Sequence, residues 1–307
     1  MATTTTTTAV RETGAPAGRS GAGTAGARVR PPRRTRRRRP NVLAGFGGFV
    51  WLAVIIVPVY YVVISSLRAQ QGFFDSNPLS PPSHITFDNY SLVLSSGFGR
   101  YFVNSVVITL ASVALTVGLS LMAAYAVVRG KGRFIRSAFA IFLLGLAIPV
   151  HATIIPLYYM ITRVHLYDSL LALILPSIGF AIPITVLILA NFIRDIPKEL
   201  FESMRMDGAT DLRMLWSLVL PLARPAIVTV GIYDGLHVWN GFLFPLILTQ
   251  SPNQRVLPMA LWTFQGEFTV NVPAVLAAVV LSTLPMLAAY LIGRRQLVRG
   301  LTAGFSK

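Results

Sequence analysis

The sequence predicts an all-α membrane protein with six transmembrane helices and both termini on the cytoplasmic side. Three observations lead there. Of 307 residues, 54% are hydrophobic and 12% charged, whereas a soluble domain carries about 25% charged residues. The mean hydropathy is +0.63. The apolar residues gather in runs of the length, around 20 residues, that a helix needs to cross about 30 Å of hydrocarbon. None of these runs shows the period-two alternation of a barrel strand. The basic residues fall on alternate loops, which assigns the two sides.

The elements follow in order. Residues 1–40 carry ten arginines and one glutamate in Thr-, Ala- and Gly-rich sequence that closes on Arg33-Arg34-Thr35-Arg36 through Arg39. With almost no large apolar residue, residues 1–41 cannot bury a core and are expected to form a disordered basic tail. Arginine runs neutralise phosphates, but a basic segment directly before a span has a simpler role. It holds that end inside and sits on anionic lipid, and no nucleic-acid partner is expected. The first span is long and no clear small-residue cleavage site follows it, so a cleaved leader is not expected.

The six spans are read at 42–67, 101–128, 137–161, 169–193, 222–248 and 272–292. They make a transmembrane domain over 42–293, followed by a tail at 294–307. With both ends inside, the segments 1–41, 129–136, 194–224 and 293–307 hold 23 of the 27 Lys and Arg residues. The outer side keeps Arg68, Arg100, Arg163 and Arg255. Without the N-terminal tail the ratio is still 13 to 4, so both termini are placed inside. The outer loops 68–100, 162–168 and 249–271 are too short for separate domains, and no internal repeat is visible. Pro58, Pro149, Pro156, Pro176, Pro183, Pro225, Pro245 and Pro285 fall in the spans. Each removes a helix hydrogen bond and can kink its helix. Broken helices line transport cavities, although prolines are also simply commoner in membrane helices.

Several chemistries are excluded. The chain has no cysteine, so disulfides and thiolate sites are absent. Its histidines (84, 151, 165 and 237) lie too far apart for a metal-ligand pair. The phosphate-cradling G-x-x-x-x-G-K-[ST] loop is missing, so ATP chemistry must lie elsewhere. A membrane-embedded enzyme needs a clustered catalytic set. Asp234 and His237 lack a third partner.

Asp234 is the one acid inside a predicted span, and an ionisable group at membrane depth is a functional candidate by default. His237, Trp239 and Asn240 lie within two turns of it, and Asp234 and His237, at i and i+3, share a helix face. Two readings stay open. In one, this patch lines a substrate pathway, with Trp239 stacking on a sugar and Asn240 bonding hydroxyls. In the other, an Asp–His pair fixes helix packing or touches a partner subunit. Asn104, Ser105, Thr109 and His151 are weaker candidates that could equally bond between helices.

The longest polar interruption in the apolar part of the chain is Glu202 to Pro221, ESMRMDGATDLRMLWSLVLP. Pro197 can start a short helix with Asp195 as a cap. Gly208 can supply the positive φ of a sharp turn. A second helix from Asp211 to Leu220 would then end at Pro221. Two short helices joined at Gly208 make a compact knob, with Glu202 and Asp207 offering charge to arginines on a partner. Glu202, Asp207, Gly208, Ala209, Leu218, Leu220 and Pro221 resemble, in register, the cytoplasmic "EAA" coupling loop of binding-protein-dependent ABC importers, here within 195–221. Ser203 and Met204 stand where that pattern has two alanines.

Two further segments narrow the resemblance. Arg299-Gly300-Leu301-Thr302-Ala303-Gly304, three residues from Lys307, is similar to the R-G-L-T-x-G-x-x-K tail of maltose-type, MalG-like carbohydrate permeases. Trp239 to Leu246, WNGFLFPL, resembles that family's W-N-x-F-L-x-P-L stretch, with Gly241 where many members have an acid. The resemblance covers about residues 42–307. It implies an ABC importer type I permease fold in a prokaryotic cell membrane. It also implies a second, MalF-like permease, an ATPase dimer that holds the ATP and Mg, and an extracytoplasmic sugar-binding protein. No cofactor is expected on this chain. The ATPase would grip the coupling loop and the tail residues Arg299, Gly300, Leu301, Thr302 and Gly304. In that family the loop equivalent to 249–271 reaches toward the binding protein, and the sister subunit supplies most sugar contacts. A permease for a polyamine or phosphonate shares the coupling loop but not the tail. A stand-alone secondary transporter predicts intramembrane charge pairs and often repeats.

Overall fold

The computed structural model describes residues 42–75, 77–264 and 270–303, and among them the only regular elements are helices. Met1–Val50 and Trp51–Lys307 form separate compact units. The described part of the first is the opening of helix α1 (Val42–Ser66). Among the described residues, four helices are long and apolar enough to cross a membrane: Gly45–Ser66, Asp88–Arg129, Leu171–Arg194 and Val272–Leu291. Two bent pairs complete a set of up to six.

From Trp51 onward α1 exposes Ile55, Val59 and Val63 along with residues on its other faces. A helix apolar all round has no side suited to water. Pro58 sits inside it without ending it. Its last turn is anchored: Ser66 Oγ lies 2.7 Å from Tyr90 Oη, and Asn89 Nδ2 donates to the carbonyls of Ser66 and Arg68 at 2.9 and 2.7 Å. Asn89 and Tyr90 belong to α2 (Asp88–Val93). The expected outer loop 68–100 therefore ends in helix. A π-turn with Gly97 at φ +88° carries α2 into α3 (Gly99–Arg129).

The third predicted span, 137–161, is not one helix. It is α4 (Arg133–Leu144) and α5 (Ile154–Arg163) with short 3-10 turns between, bent by 93°. The break is at Pro149, where Ile148 and Pro149 are both extended (ψ 114° and 121°). Steric conflict with the proline ring disfavours helical ψ at the preceding residue. By contrast α6 (Leu171–Arg194) runs through Pro176 and Pro183 unbroken. Next come α7 (Lys198–Met206), α8 (Asp211–Met214), a π-turn at Leu215–Val219 and α9 (Leu220–Leu222). The chain then turns by 77° at Ala223 into α10 (Arg224–Trp239). Pro221 does not end its helix as expected. The wider π-turn before it relaxes the hydrogen-bond ladder, and the bend falls two residues later. The fifth predicted span also breaks, at 240–242, before α11 (Leu243–Leu248). The short α12 (Leu257–Ala260) precedes α13 (Val272–Ala303), which continues well past the expected end at 292 and passes through Pro285.

Three buried clusters fix the directions of the helices. One joins Leu121, Ala124 and Tyr125 of α3 to Leu189, Ala190 and Ile193 of α6, Phe201 of α7, and Ala226 and Val230 of α10. A second joins Phe98 and Tyr101 to Trp239, Leu257 and Ala277. A third joins Ile108 to Leu173, Ile178, Leu248 and Val256. Thus α3 and α6 run parallel, with α10 antiparallel to both. The segment 195–223 lies at one end of the bundle, while the turns at 94–98, 164–170 and 249–256 lie at the other.

Candidate functional site

The segment 198–222 is a knob built by helix-capping chemistry. At the end of α7 the Gly208 amide donates to the Arg205 carbonyl (3.0 Å), and the Ala209 amide reaches back to Met204 (2.9 Å). These two bonds are the Schellman closure of a helix, which places a left-handed residue where Gly208 stands. Gly208 has φ +75°. The motif includes an apolar contact across the turn, and Met204 and Ala209 both pack against the first buried cluster. Thr210 then caps α8, its Oγ1 accepting the Arg213 amide at 3.3 Å. Asp195 does not cap α7. It closes α6 instead, and the residue before α7 is Pro197, which offers no side-chain cap.

Three links tie the knob to the bundle. Phe201 is 2% exposed, with the Arg129 guanidinium 4.3 Å above its ring. Asp211 accepts from Tyr125 Oη at 3.0 Å and pairs with Arg205 at 3.1 Å. Met214 and Val219 are fully buried. Glu202, Asp207, Gly208 and Pro221 are exposed, while Ala209 and Leu220 are half-buried. Met206 is 87% exposed and Leu212 62% exposed. The tail residues Arg299, Gly300, Leu301 and Thr302 fall on the last turns of α13. Their side chains, and Gly304 altogether, lie outside the described residues.

A cavity of about 760 Å³ opens at the other candidate patch. It lies where both broken spans interrupt, lined by Ile148 and Val150 beside one break and by Asn240, Gly241 and Phe242 in the other. Ser177 and Phe180 of α6 and Asp234 and His237 of α10 complete the polar and aromatic wall. Asp234 is 2% exposed, and its Oδ2 accepts from Thr185 Oγ1 at 2.9 Å. The Asp–His pair, one of the two open readings, forms no direct hydrogen bond among the described residues. His237 instead stacks on Tyr233, 5.6 Å between ring centroids. Trp239 does not face the cavity. It is buried in the second cluster, edge-on to Phe102 at 6.0 Å, with its indole N–H donating to the Ser282 carbonyl at 3.3 Å. Asn240 Nδ2 donates to the Leu236 carbonyl at 2.8 Å.

Of the weaker candidates, Asn104 and Ser105 serve the framework, whereas Thr109 Oγ1 is buried with no hydrogen-bond partner among the described residues and His151 is exposed. Asn104 Nδ2 donates to the carbonyls of Asn253 and Arg255, both at 2.8 Å, and Ser105 Oγ accepts the Leu257 amide at 2.9 Å. Asp168 was not visible as a candidate in the sequence. It sits at φ +59° and accepts the amides of Gln250 and Ser251 at 2.8 and 3.0 Å, together with the Ser251 hydroxyl. The hydroxyl and then the Gln250 amide hold its carboxyl below the usual carboxylate range. Asn104, Ser105 and Asp168 pin the segment 249–257.

Such a bundle, with a rigid two-helix knob at one end and a cavity at its broken helices, defines a multi-pass membrane permease. The chain belongs to the family of binding-protein-dependent transport system inner membrane components, whose model matches residues 116–301. An ABC transporter permease protein of Caldicellulosiruptor sp. (strain Rt8B.4) is 38% identical over 84% of this chain and 94% of its own length. The diacetylchitobiose uptake system permease protein NgcG of Streptomyces coelicolor is 32% identical over 83% and 85%. The fold matches a chain from the crystal structure of a bacterial ABC transporter that imports the acidic polysaccharide alginate. Its TM-score is 0.73 at 22% identity, over 84% of this chain and 97% of that one. The family is one of transport permeases, not of catalytic subunits.

Proposed function

We propose that this chain is one half of the translocation pathway of an ATP-driven sugar importer in a prokaryotic cell membrane. It crosses six times, with both termini cytoplasmic. A MalF-like permease forms the other half, an ATPase dimer holding ATP and Mg drives the pair, and an extracytoplasmic protein delivers the sugar. The observation that carries this reading is the knob. Its Gly208 turn leaves Glu202, Met206, Asp207 and Leu212 exposed on a segment that is itself rich in Lys and Arg, as inner loops are. ATP binding would close the ATPase dimer and carry the knob with it, and hydrolysis would reset it. Such a ligand can drive the switch only by binding one state better than the other. The substrate class is supported by the tail resemblance at Arg299 to Gly304 and by the sugar named for NgcG. The tail would add a second ATPase contact, and Asp234, His237 and Asn240 would line the pathway, with Trp239 supporting it from behind.

Affinity purification of the tagged chain in mild detergent tests the assembly. It should recover an ATPase and a second multi-pass permease, and reconstituted vesicles supplied with the binding protein should take up sugar only with ATP. A homodimer that transports without an ATPase would overturn the proposal.

A further inference from the structure

The cavity at the two broken helices has an electrostatic character that bears on what it carries. Its wall holds one carboxylate, Asp234, and no lysine or arginine. The Asp234 Oδ2 is engaged by Thr185, no lysine or arginine pairs with this carboxylate among the described residues, and His237 is the one basic side chain on the same wall. A carboxylate kept at this depth repels an anion strongly, because low-dielectric surroundings screen little. Next to it, Tyr233 and His237 are one helical turn apart and lie nearly parallel, at 25° between ring planes. Both line the cavity, and Tyr233 is 48% exposed. Stacked on His237, the half-exposed Tyr233 ring is backed on one side and leaves its other face as a flat apolar surface of the kind on which the C–H face of a pyranose packs. Ser177 and Asn240 stand on the same wall and offer hydroxyl and amide partners. At about 760 Å³ the volume falls inside the range of about 300–1,000 Å³ for ligand pockets.

The geometry points to a subsite for an uncharged, hydroxyl-rich sugar on this subunit itself, with Tyr233, backed by His237, as its platform, Asp234 as hydroxyl acceptor, and acidic sugars rejected. This rests on the proposed import function and narrows its substrate class. Tyr233 is the specificity residue that the sequence reading did not single out. An extended cation such as a polyamine is a poor fit, since one carboxylate among mostly apolar walls cannot balance several ammonium groups.

The test uses the purified permease–ATPase complex in detergent, without the binding protein, so that a second protein's selectivity does not intervene. Saturation-transfer NMR compares three disaccharides: N,N′-diacetylchitobiose (neutral), chitobiose (cationic) and digalacturonate (anionic). The neutral sugar should bind at least about tenfold better than the anion. Tyr233→Ala should weaken neutral-sugar binding by roughly threefold to tenfold, while Tyr233→Phe keeps the platform and the affinity. Asp234→Asn retains an acceptor for Thr185 and should admit digalacturonate. Equal binding of neutral and acidic sugars, a clear preference for chitobiose, no saccharide bound at all, or unchanged affinity in Tyr233→Ala would each overturn the subsite. ATP-driven uptake by the complete wild-type system separates the two claims. If the wild type takes up no sugar, the import function itself fails. If the wild type imports normally and the variants bind as it does, only the subsite fails.

Discussion

Gly208 gives the sharpest test of the knob, because its geometry separates backbone strain from bulk. Its φ is +75°, and a Cβ built there would meet nothing within 4 Å. A substitution therefore creates no collision, and its cost is the left-handed backbone alone, about 1–2 kcal/mol for an ordinary L-residue. Asparagine tolerates that region and costs less. The two closing bonds, from Gly208 to Arg205 and from Ala209 to Met204, contribute about 0.5–1.5 kcal/mol each. A residue that will not hold positive φ puts both at risk. The buried anchors Phe201, Met214 and Val219 are untouched, so the chain should still insert and fold. The expected order of ATPase recovery and ATP-driven uptake is Gly208, then Asn, then Ala, then Val, with Gly208→Val losing about tenfold or more. The assay is co-purification of the ATPase from membranes with matched permease levels, followed by sugar uptake in vesicles. Wild-type uptake in Gly208→Val would refute the reasoning. So would Asn behaving as badly as Val, since bulk has nothing to strike here.

Three other outcomes follow from individual contacts. Tyr125→Phe deletes the hydroxyl that donates to Asp211 at 3.0 Å. It should lower uptake per ATP hydrolysed more than it lowers ATPase recovery, measured as the transport-to-hydrolysis ratio, at a stability cost of about 1–2 kcal/mol. The Asp168 carboxyl is held low in the folded chain, so its clamp on Gln250 and Ser251 is fully present above the ordinary carboxylate range and is lost as pH falls through the folded value. Proteolysis within 249–257 should accelerate in acid, and Asp168→Ala should make it fast at neutral pH as well. A Cβ at Gly145 would come within 2.8 Å of the Pro183 ring, which cannot swing aside. Gly145→Val should therefore lower the melting temperature of the detergent-solubilised chain, by about 1–3 kcal/mol of overpacking.

What the sequence could reveal depended on how far each residue's partner lies along the chain. The knob was legible because its chemistry is local: a glycine that ends one helix and a threonine or aspartate that starts the next lie within four residues. The apolar runs were equally legible, as α1 shows, exposed along most of its length from Trp51 onward. The breaks were not. Pro149 stops a helix, whereas Pro58, Pro176, Pro183 and Pro285 lie within unbroken ones, and nothing in the local sequence separates them. Pro183 sits against Gly145 at the end of α4, a contact that no local pattern in the sequence reveals. Trp239 read as a sugar platform because it neighbours Asp234, yet its indole finds Ser282, 43 residues away. Asp168 was invisible for the same reason, since its partners Gln250 and Ser251 follow 82 and 83 residues later.

The knob and the cavity share three helices, α3, α6 and α10, which limits how one can act on the other. Helix α3 meets the knob at Tyr125 and the cavity at Ser105 and Ile108, with no proline or break between Gly99 and Arg129. Helix α10 starts at the Ala223 bend directly behind the knob and carries Asp234 and His237 about 16–21 Å further along its axis. Its two discontinuities lie at its ends, at Ala223 and at 240–242. Gly231 and Gly235 bring it close to α3, where Val113 lies 3.7 Å from a Cβ built at either position, the close approach that small residues allow between membrane helices. A displaced knob would thus tilt α10 as a stiff rod against α3, with flexure confined to the two ends. One bend lies beside the exposed face of the knob and the other forms the cavity wall. At the end of this rod Trp239 lies edge-on to Phe102 and donates its indole N–H to the Ser282 carbonyl, so it ties α10 to α3 and α13 directly before the cavity wall at Asn240–Phe242.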